Sequence, residues 1–203
     1  DNLNLGLSYA SKQSFQDFEY NVVNENPNLQ NFGQARTITF GMDVPAVYAG
    51  GFALEADKLL WTADAKYITY STTEGFEKSG FDQTGAVQGF GWEDIMVLAT
   101  GIQFSVNDAF ALRGGWNYSE NPIPDEQSFF NIPAPAIVQQ HATVGLGFVP
   151  VSGLHVDLAY YHVFENEISG EMWGPMGPMA GTSATSTMYE DSFLMTFSFY
   201  PEG

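Results

Sequence analysis

The sequence contains no cysteine and very little positive charge. Its 203 residues include 6 Lys and Arg against 24 Asp and Glu, which gives a formal net charge of −18 at pH 7. The missing cysteine excludes disulfide frameworks, thiol nucleophiles and thiolate metal ligands. The scarcity of basic side chains excludes a surface that neutralises several phosphates, and with it nucleic-acid binding.

Long apolar runs are also missing. The longest stretch without a charged residue covers 127–156, and Pro133, Pro135 and Pro150 interrupt it, so no membrane-spanning helix is predicted. The N-terminus has neither a basic start nor an apolar run, so we expect a chain that is mature or trimmed rather than one that carries a signal peptide.

Aromatic residues and glycine are abundant, and the dominant pattern is a period-2 alternation of large apolar with small or polar residues. The chain has 17 Phe, 10 Tyr and 21 Gly, a composition that favours strands and turns over helices. The alternation predicts an all-β fold with eight strands. These strands are expected at 3–20, 36–55, 59–71, 93–106, 109–119, 139–149, 154–165 and 190–200, with a bend or break at Pro45.

The predicted connections alternate in length. Three are short, at 56–58, 106–108 and 150–153, and four are long, at 21–35, 72–92, 120–138 and 166–189. All short turns therefore lie at one end of the strands, as in an antiparallel transmembrane β-barrel with an apolar outer face and a polar lumen. A soluble all-β sandwich would show the same alternation with its apolar face turned inward, and it remains the alternative.

Several segments in order resemble FadL-type outer-membrane transporters of hydrophobic compounds. DVPAVYAGGF at 43–52 followed by DKLLWTADAKY at 57–67 resembles a strand, turn and tryptophan-containing strand of that family. The likeness continues in LGLSYASK at 5–12, LRGGWNYS at 112–119, PIPD at 122–125, FNIPAP at 130–135 and HATVGLG at 141–147.

The resemblance covers the C-terminal half of a family whose members form a 14-stranded barrel plugged by an N-terminal hatch. It implies that residues 1–203 are a single barrel segment of about eight strands, and that the hatch and the early strands are absent. It also implies passive transport of long-chain fatty acids or aromatic hydrocarbons across the bacterial outer membrane, with the missing half of the barrel as a partner.

The alternation assigns a set of polar side chains to the lumen. Arg113 and Asp157 lie about five residues from their short turns, so they are expected at similar depth, with Gly145 on the strand between them leaving room for an ion pair. The pair either props the wall or exchanges transiently with a ligand carboxylate, as Lys66 also could. The predicted lumen residues are Asp64, Lys66, Gln103, Arg113, His155, Asp157 and Tyr161.

No catalytic or metal-binding set is predicted, and no cofactor is expected. His155 and His162 have opposite parity on one strand, so they cannot join His141 in a metal triad. No Gly-x-Ser-x-Gly motif is present. A final loop with Met172, Met176 and Met179, extending to Met188, is interpreted as a flexible apolar contact surface, with soft-metal binding as the alternative.

The predicted outer loops also carry apolar and acidic side chains. Phe129, Phe130, Ile132 and Ile137 either pack loop on loop or form a landing surface for an apolar ligand. The acidic loop residues are mostly solvated, and a minor hypothesis gives them a divalent-cation bridge to lipopolysaccharide and membrane lipid.

Three functions remain open from the sequence. The first is passive outer-membrane transport of a hydrophobic small molecule, the second a structural or scaffolding barrel that anchors a partner, and the third a soluble all-β binding module.

Overall fold

The computed structural model describes residues 2–25, 27–28, 32–82, 85–174 and 176–200. Twelve strands lie in this part of the chain. Their bounds are β1 Asn2–Ala10, β2 Phe18–Val23, β3 Ala35–Phe40, β4 Val47–Ala56, β5 Leu59–Ile68, β6 Ile95–Asn107, β7 Phe110–Ser119, β8 Gln140–Val151, β9 Leu154–Gly170, β10 Trp173–Gly174, β11 Gly177–Pro178 and β12 Ala184–Phe199. Among the described residues, no helix is long and apolar enough to cross a membrane.

Eight of these strands form one antiparallel sheet in the order β1-β4-β5-β6-β7-β8-β9-β12. Neighbours in this sheet follow one another along the chain except where the small β2–β3 and β10–β11 pairs are inserted. β1 and β12 are the two edges, and no pairing joins them in the described part of the chain. The eight-stranded antiparallel sheet is therefore a wall with two edges.

The short connections between strands all lie at one end of the wall. Asp57 adopts a positive φ of 49° between β4 and β5, and Gly153 adopts 78° between β8 and β9. A Cβ atom at Gly153 would lie 2.7 Å from the carbonyl oxygen of Tyr200, so this turn requires glycine for both its backbone angle and its space. The predicted asymmetry of short and long connections is confirmed.

The sheet has two chemically different faces. Alternate residues along each strand point to opposite faces, and paired residues on neighbouring strands point to the same face. The polar face carries Arg113 and the side chains in register with it, which are Gln103 on β6, Gly145 on β8, Ala159 on β9 and Leu194 on β12. The apolar face carries residues such as Leu5, Phe52, Ile102, Leu112, Trp116, Leu158 and Phe197.

Large apolar side chains on the apolar face are more exposed than is usual for a protein surface in water. Leu98 and Ile102 on β6 are each 49% exposed and Val144 on β8 is 61% exposed, although neighbouring strands flank both β6 and β8. Contiguous exposed apolar surface of this kind marks contact with lipid or protein. Polar side chains also occur on this face where the imidazole Nδ1 of His162 lies 2.8 Å from Asp191 Oδ1 and the Tyr160 hydroxyl donates to the same oxygen at 2.5 Å.

Two predicted strands need correction. The strand expected at 3–20 ends at Ala10, and the strand expected at 36–55 is divided into β3 and β4. Pro45 lies in the break and lacks the amide proton that ladder pairing requires, as its position in the predicted strand indicated. β2 and β3 form a separate hairpin beside the sheet, and part of the loop predicted at 21–35 lies outside the described residues.

The last predicted loop is also wrong in extent. β9 continues to Gly170 and β12 begins at Ala184, so both ends of the loop expected at 166–189 belong to paired strands. The acidic residue Glu167 within this segment favours a loop on sequence alone. A strand pair that extends beyond the lipid into water can carry such charges without losing its ladder.

The described residues of the long connections 69–94 and 120–139 fold into a cap over the end of the wall opposite the short turns. Ile123, Ile137 and Ile168 form its buried core, against which Trp92 and Met188 pack. An aromatic cluster of Tyr70, Phe76, Phe90 and Trp92 adjoins it, with ring centroids 4.8–6.1 Å apart. The cap is thus a packed unit rather than a set of separate loops.

Candidate functional site

The polar face brings Arg113 and Asp157 together, as the sequence predicts, and Gln103 joins this pair. Arg113 Nε donates to Gln103 Oε1 at 2.7 Å, and its Nη1 forms an ion pair with Asp157 Oδ1. Gln103 is the cross-strand partner of Arg113, whereas Asp157 lies on β9, one strand beyond β8. The guanidinium therefore joins three strands of the wall.

The space for this pair comes from Gly147, not from Gly145 as the sequence indicated. A Cβ atom at Gly147 would lie 2.7 Å from Asp157 Oδ1 and 3.1 Å from Arg113 Nη2. Gly147 is in register with Asp157, whereas Arg113 is in register with Gly145. The long Arg113 side chain therefore leans along its strand by one same-face row before it meets the carboxylate. The pair lies over bare backbone at this position.

The ion pair is half-exposed, and its main effect is to neutralise charge. The side chains of Arg113 and Asp157 are 43% and 38% exposed. Exposed pairs contribute only about 0–1 kcal/mol to stability. A ligand carboxylate that approaches Arg113 must compete with Asp157 and Gln103 for the same guanidinium, which favours the interpretation that this pair props the wall.

The remaining predicted lumen residues lie on the same face but in separate groups. Lys66 Nζ lies 3.9 Å from Asp64 Oδ1 on the same strand, a looser pair. His155 is in register with Ser198, and its ring packs edge-on against Tyr200 with centroids 5.0 Å apart. The Tyr161 hydroxyl donates to Glu190 Oε1 at 2.7 Å. No single site unites the seven predicted residues.

Two depressions on the polar face meet at the Arg113–Asp157 pair. The one toward the short turns has a volume of about 410 Å³ and a largely polar lining that includes Gln103, Ser105 and His155. The one on the other side has about 310 Å³ and a largely apolar lining. Its floor is formed by Gly115, Thr143, Gly145, Ala159, Leu194 and Thr196. The ion pair lies at the border between a depression with a polar lining and one with an apolar lining.

A second polar group on this face was not predicted from the sequence. Glu190 Oε1 also accepts a hydrogen bond from Ser192 Oγ at 2.7 Å. His141 is in register with Val163, which is in register with Glu190 on β12. The shared parity of Glu190 and Ser192 was the available signal, but Glu190 lies at a register shift after Met188 and near the predicted strand end.

The apolar residues predicted in the outer loops belong to the cap, and the landing-surface interpretation needs correction. Ile137 is 0% exposed and Phe130 5%, so neither side chain is presented to solvent. Phe130 packs against Phe81, Phe129 and Trp173, with centroids 5.2–5.4 Å apart. Ile132 is 53% exposed, and Phe129 is half-buried. Loop-on-loop packing explains Phe130 and Ile137.

A buried amide ties the cap together. Asn131 is fully buried, and its Oδ1 accepts a hydrogen bond from Trp92 Nε1 at 2.6 Å. Its Nδ2 donates to the carbonyl oxygens of Phe90 and Gln127, both at 2.9 Å. These bonds link the connection 69–94 to the 3₁₀ helix Asp125–Asn131.

Carboxylates anchor the segments around the cap. Asp43 accepts hydrogen bonds from the Phe15 amide at 3.0 Å and Ser14 Oγ at 2.9 Å, and it pairs with Lys12 at 3.3 Å. The Phe15 hydrogen bond, followed by those of Ser14 and Lys12, lowers the pKa of Asp43 despite its burial. Burial raises the pKa of Tyr70 in the aromatic cluster.

The predicted methionine segment divides between two environments. Met188 packs against the cap core, whereas Met172, Met176 and Met179 are 38%, 103% and 41% exposed around the small β10–β11 pair. In the part of the chain that the structure describes, no three His, Cys, Asp or Glu side chains are grouped as a metal site would require.

Residues 1–185 match the model of a family described as outer membrane protein transport protein (OMPP1/FadL/TodX). No curated protein sequence matches the chain.

Solved structures match over almost the whole chain at low identity. A Pseudomonas aeruginosa FadL homologue gives a TM-score of 0.66 at 16% identity, over 97% of this chain and 48% of that chain. The Pseudomonas putida toluene transporter TodX gives 0.58 at 17% identity, over 98% and 46%. The CymD monoaromatic hydrocarbon channel gives 0.53 at 15% identity, over 98% and 48%. The chain spans about half the length of these structures, and its fold is that of a FadL-like transmembrane β-barrel wall.

Proposed function

Because the chain belongs to the outer membrane transport family that includes FadL and TodX, we propose that it forms part of the wall of a passive outer-membrane channel for hydrophobic compounds. Long-chain fatty acids and aromatic hydrocarbons are the substrate classes we favour. In this proposal the polar face lines the lumen, the apolar face meets lipid, and the remaining strands and a hatch are supplied by sequence outside these 203 residues.

The observation that supports transport is the arrangement of the two depressions on the polar face. An apolar floor of small residues adjoins a polar compartment at the short-turn end, with the Arg113–Asp157 pair between them. Small side chains leave width for a ligand, and an apolar lining with few polar groups is typical of small-molecule sites. A hydrophobic compound would lie on the floor and pass the neutralised pair on its way out.

The Arg113–Asp157 pair separates fatty acids from neutral hydrocarbons as substrates. A fatty acid gains a charge-assisted hydrogen bond only if its carboxylate displaces Asp157 from Arg113. A neutral hydrocarbon requires no such exchange. Lys66 is exposed and its ammonium lies as far as 3.9 Å from Asp64, so it is the more available cation for an acid.

The test is entry of radiolabelled compounds into Gram-negative cells that lack their own transporter of this family. Cells with the intact protein should take up a long-chain fatty acid or toluene several-fold faster than cells without it. Arg113→Gln should slow the fatty acid and leave its neutral alcohol unaffected if Arg113 contacts the acid. Equal uptake of every compound with and without the protein would refute transport and favour the scaffolding barrel.

The surface proposed to capture apolar ligands consists of the exposed Ile132 and the half-buried Phe129. Phe129→Ser with Ile132→Ser should reduce uptake of both acid and alcohol, because apolar capture contributes about 25 cal/mol per Å² removed from water regardless of the head group. Phe130 and Ile137 are kept unchanged in this experiment, since their replacement would disturb the cap core.

A further inference from the structure

A carboxylate without a basic hydrogen-bond partner lies in the half of the polar face away from the short turns. Glu190 Oε1 accepts two hydrogen bonds, from the hydroxyls of Tyr161 and Ser192. Both donors are neutral. The other polar-face carboxylates away from the short turns, Asp64 and Asp157, each pair with a cation on the same face.

The basic side chain nearest in register is not hydrogen-bonded to Glu190. His141 lies in the same ladder row, with the buried Val163 between them. Its Nδ1 is buried and has no hydrogen-bond partner among the described residues. A buried polar nitrogen without a partner costs free energy, so an unsatisfied imidazole nitrogen lies in the same ladder row as the acceptor Glu190.

The ladder rows from this group toward the short turns alternate between polar and apolar side chains. Tyr161 and Ser192 are in register, and Ala159 and Leu194 form the next row with Gly145. Asp157 lies in the row after that. At about 3.3 Å per residue, Tyr161 and Asp157 are roughly 13 Å apart along β9. Arg113 is in register with this row on β7, but its side chain leans toward Asp157, so along β9 the apolar residue Ala159 separates the Tyr161 row from the ion pair.

We propose that Glu190, held by Tyr161 and Ser192 beside His141, is a subsite for the hydrogen-bond-donating head group of an otherwise apolar compound, an alcohol or an amine, whose apolar part lies on the Gly145–Ala159–Leu194 row. The subsite rests on the proposed transport function and adds apolar compounds with an alcohol or amine head group to its substrate classes. A carboxylate ligand is disfavoured there because Glu190 repels it and the cation one compartment away is already occupied by Asp157.

The test measures binding rather than transport, so its failure differs from a failure of the proposed function. The intact protein, isotopically labelled in lipid nanodiscs, is titrated with benzylamine, benzyl alcohol and benzoate while the amide signals of Ser192 and Tyr161 are followed by NMR. Benzylamine should bind at least about tenfold more tightly than benzoate, the scale of a hydrogen bond to a charged group.

Two variants and one matched control separate the subsite from general effects. Glu190→Gln should remove the preference for benzylamine over benzoate, and Tyr161→Phe should weaken it. Glu55→Gln neutralises an exposed carboxylate of the same face near the short turns and should leave the preference unchanged. An unchanged preference in folded Glu190→Gln protein, or equal binding of benzylamine and benzoate to the parent, would overturn the subsite. Uptake of toluene by cells tests transport separately.

Discussion

Replacing Asn131 with leucine should open the cap without unfolding the wall. Leucine has a similar volume, so the packing around this fully buried side chain is kept while three hydrogen bonds are lost. At about 0.5–1.5 kcal/mol for each bond, the cap should lose roughly 1.5–4.5 kcal/mol. The Trp92 indole N–H and two carbonyl groups also lose their partner, which places the effect in the upper part of that range.

The loss should be visible as faster amide exchange in the cap. The amides of Trp92 and Glu93 donate to the carbonyl oxygens of Phe76 and Pro122, both at 2.8 Å, so their exchange reports opening of the cap. A loss of about 3 kcal/mol corresponds to roughly 100-fold faster exchange. The amide of Ser105, near the short turns, should be unaffected.

A matched variant at the other end of the wall serves as the control. Asn107 Oδ1 accepts a hydrogen bond from the Ala109 amide at 2.9 Å within a short turn. Asn107→Leu should therefore alter that turn and leave Trp92 and Glu93 exchange unchanged. If folded Asn131→Leu protein exchanges these two amides within about twofold of the parent, the argument that Asn131 holds the cap is refuted.

Two further predictions concern the faces of the wall and a loop carboxylate. Ala63→Arg, on the apolar face near the middle of β5, should destabilise the protein in lipid by about 2–4 kcal/mol, and Ala99→Arg, on the polar face, should cost clearly less in the same denaturant titration. Equal losses would contradict the assignment of the faces. Because hydrogen bonding lowers the pKa of Asp43, its contribution to stability is full above the ordinary value of 3.8 and is lost as the pH falls through the lower folded value. The exchange protection of Phe15 should therefore fall on acidification below about pH 4 in the parent and be low at every pH in Asp43→Asn; a pH-independent protection in the parent would disprove this anchor.

The sequence predicts the wall well because a period-2 pattern is a local property of each strand. The alternation around Leu112, Arg113 and Trp116 assigned those side chains to the faces that they occupy, and counting from the short turns brought Arg113 and Asp157 to similar depth. Gly147 was missed, because the direction in which the long Arg113 side chain leans is not encoded in the alternation.

The cap could not be predicted from local patterns. The burial of Ile137 depends on Ile123 and Ile168, and the environment of Phe130 depends on Phe81 and Trp173, which lie far away in sequence. Apolar residues in a polar, proline-containing loop are compatible with both exposure and packing. Only the contacts between connections decide between them.

In the proposed channel the polar face lines a water-accessible lumen and the apolar face contacts lipid. Because the chain has no cysteine, a single cysteine can be placed at Leu98 on the apolar face or at its neighbour Ala99 on the polar face, and spin-labelled in the intact protein in bilayers. With this arrangement of the faces, membrane-dissolved oxygen should relax the label at position 98, and a water-soluble nickel complex should relax the label at position 99. Relaxation of both labels by the nickel complex alone, or the reverse assignment of the two reagents, would contradict it.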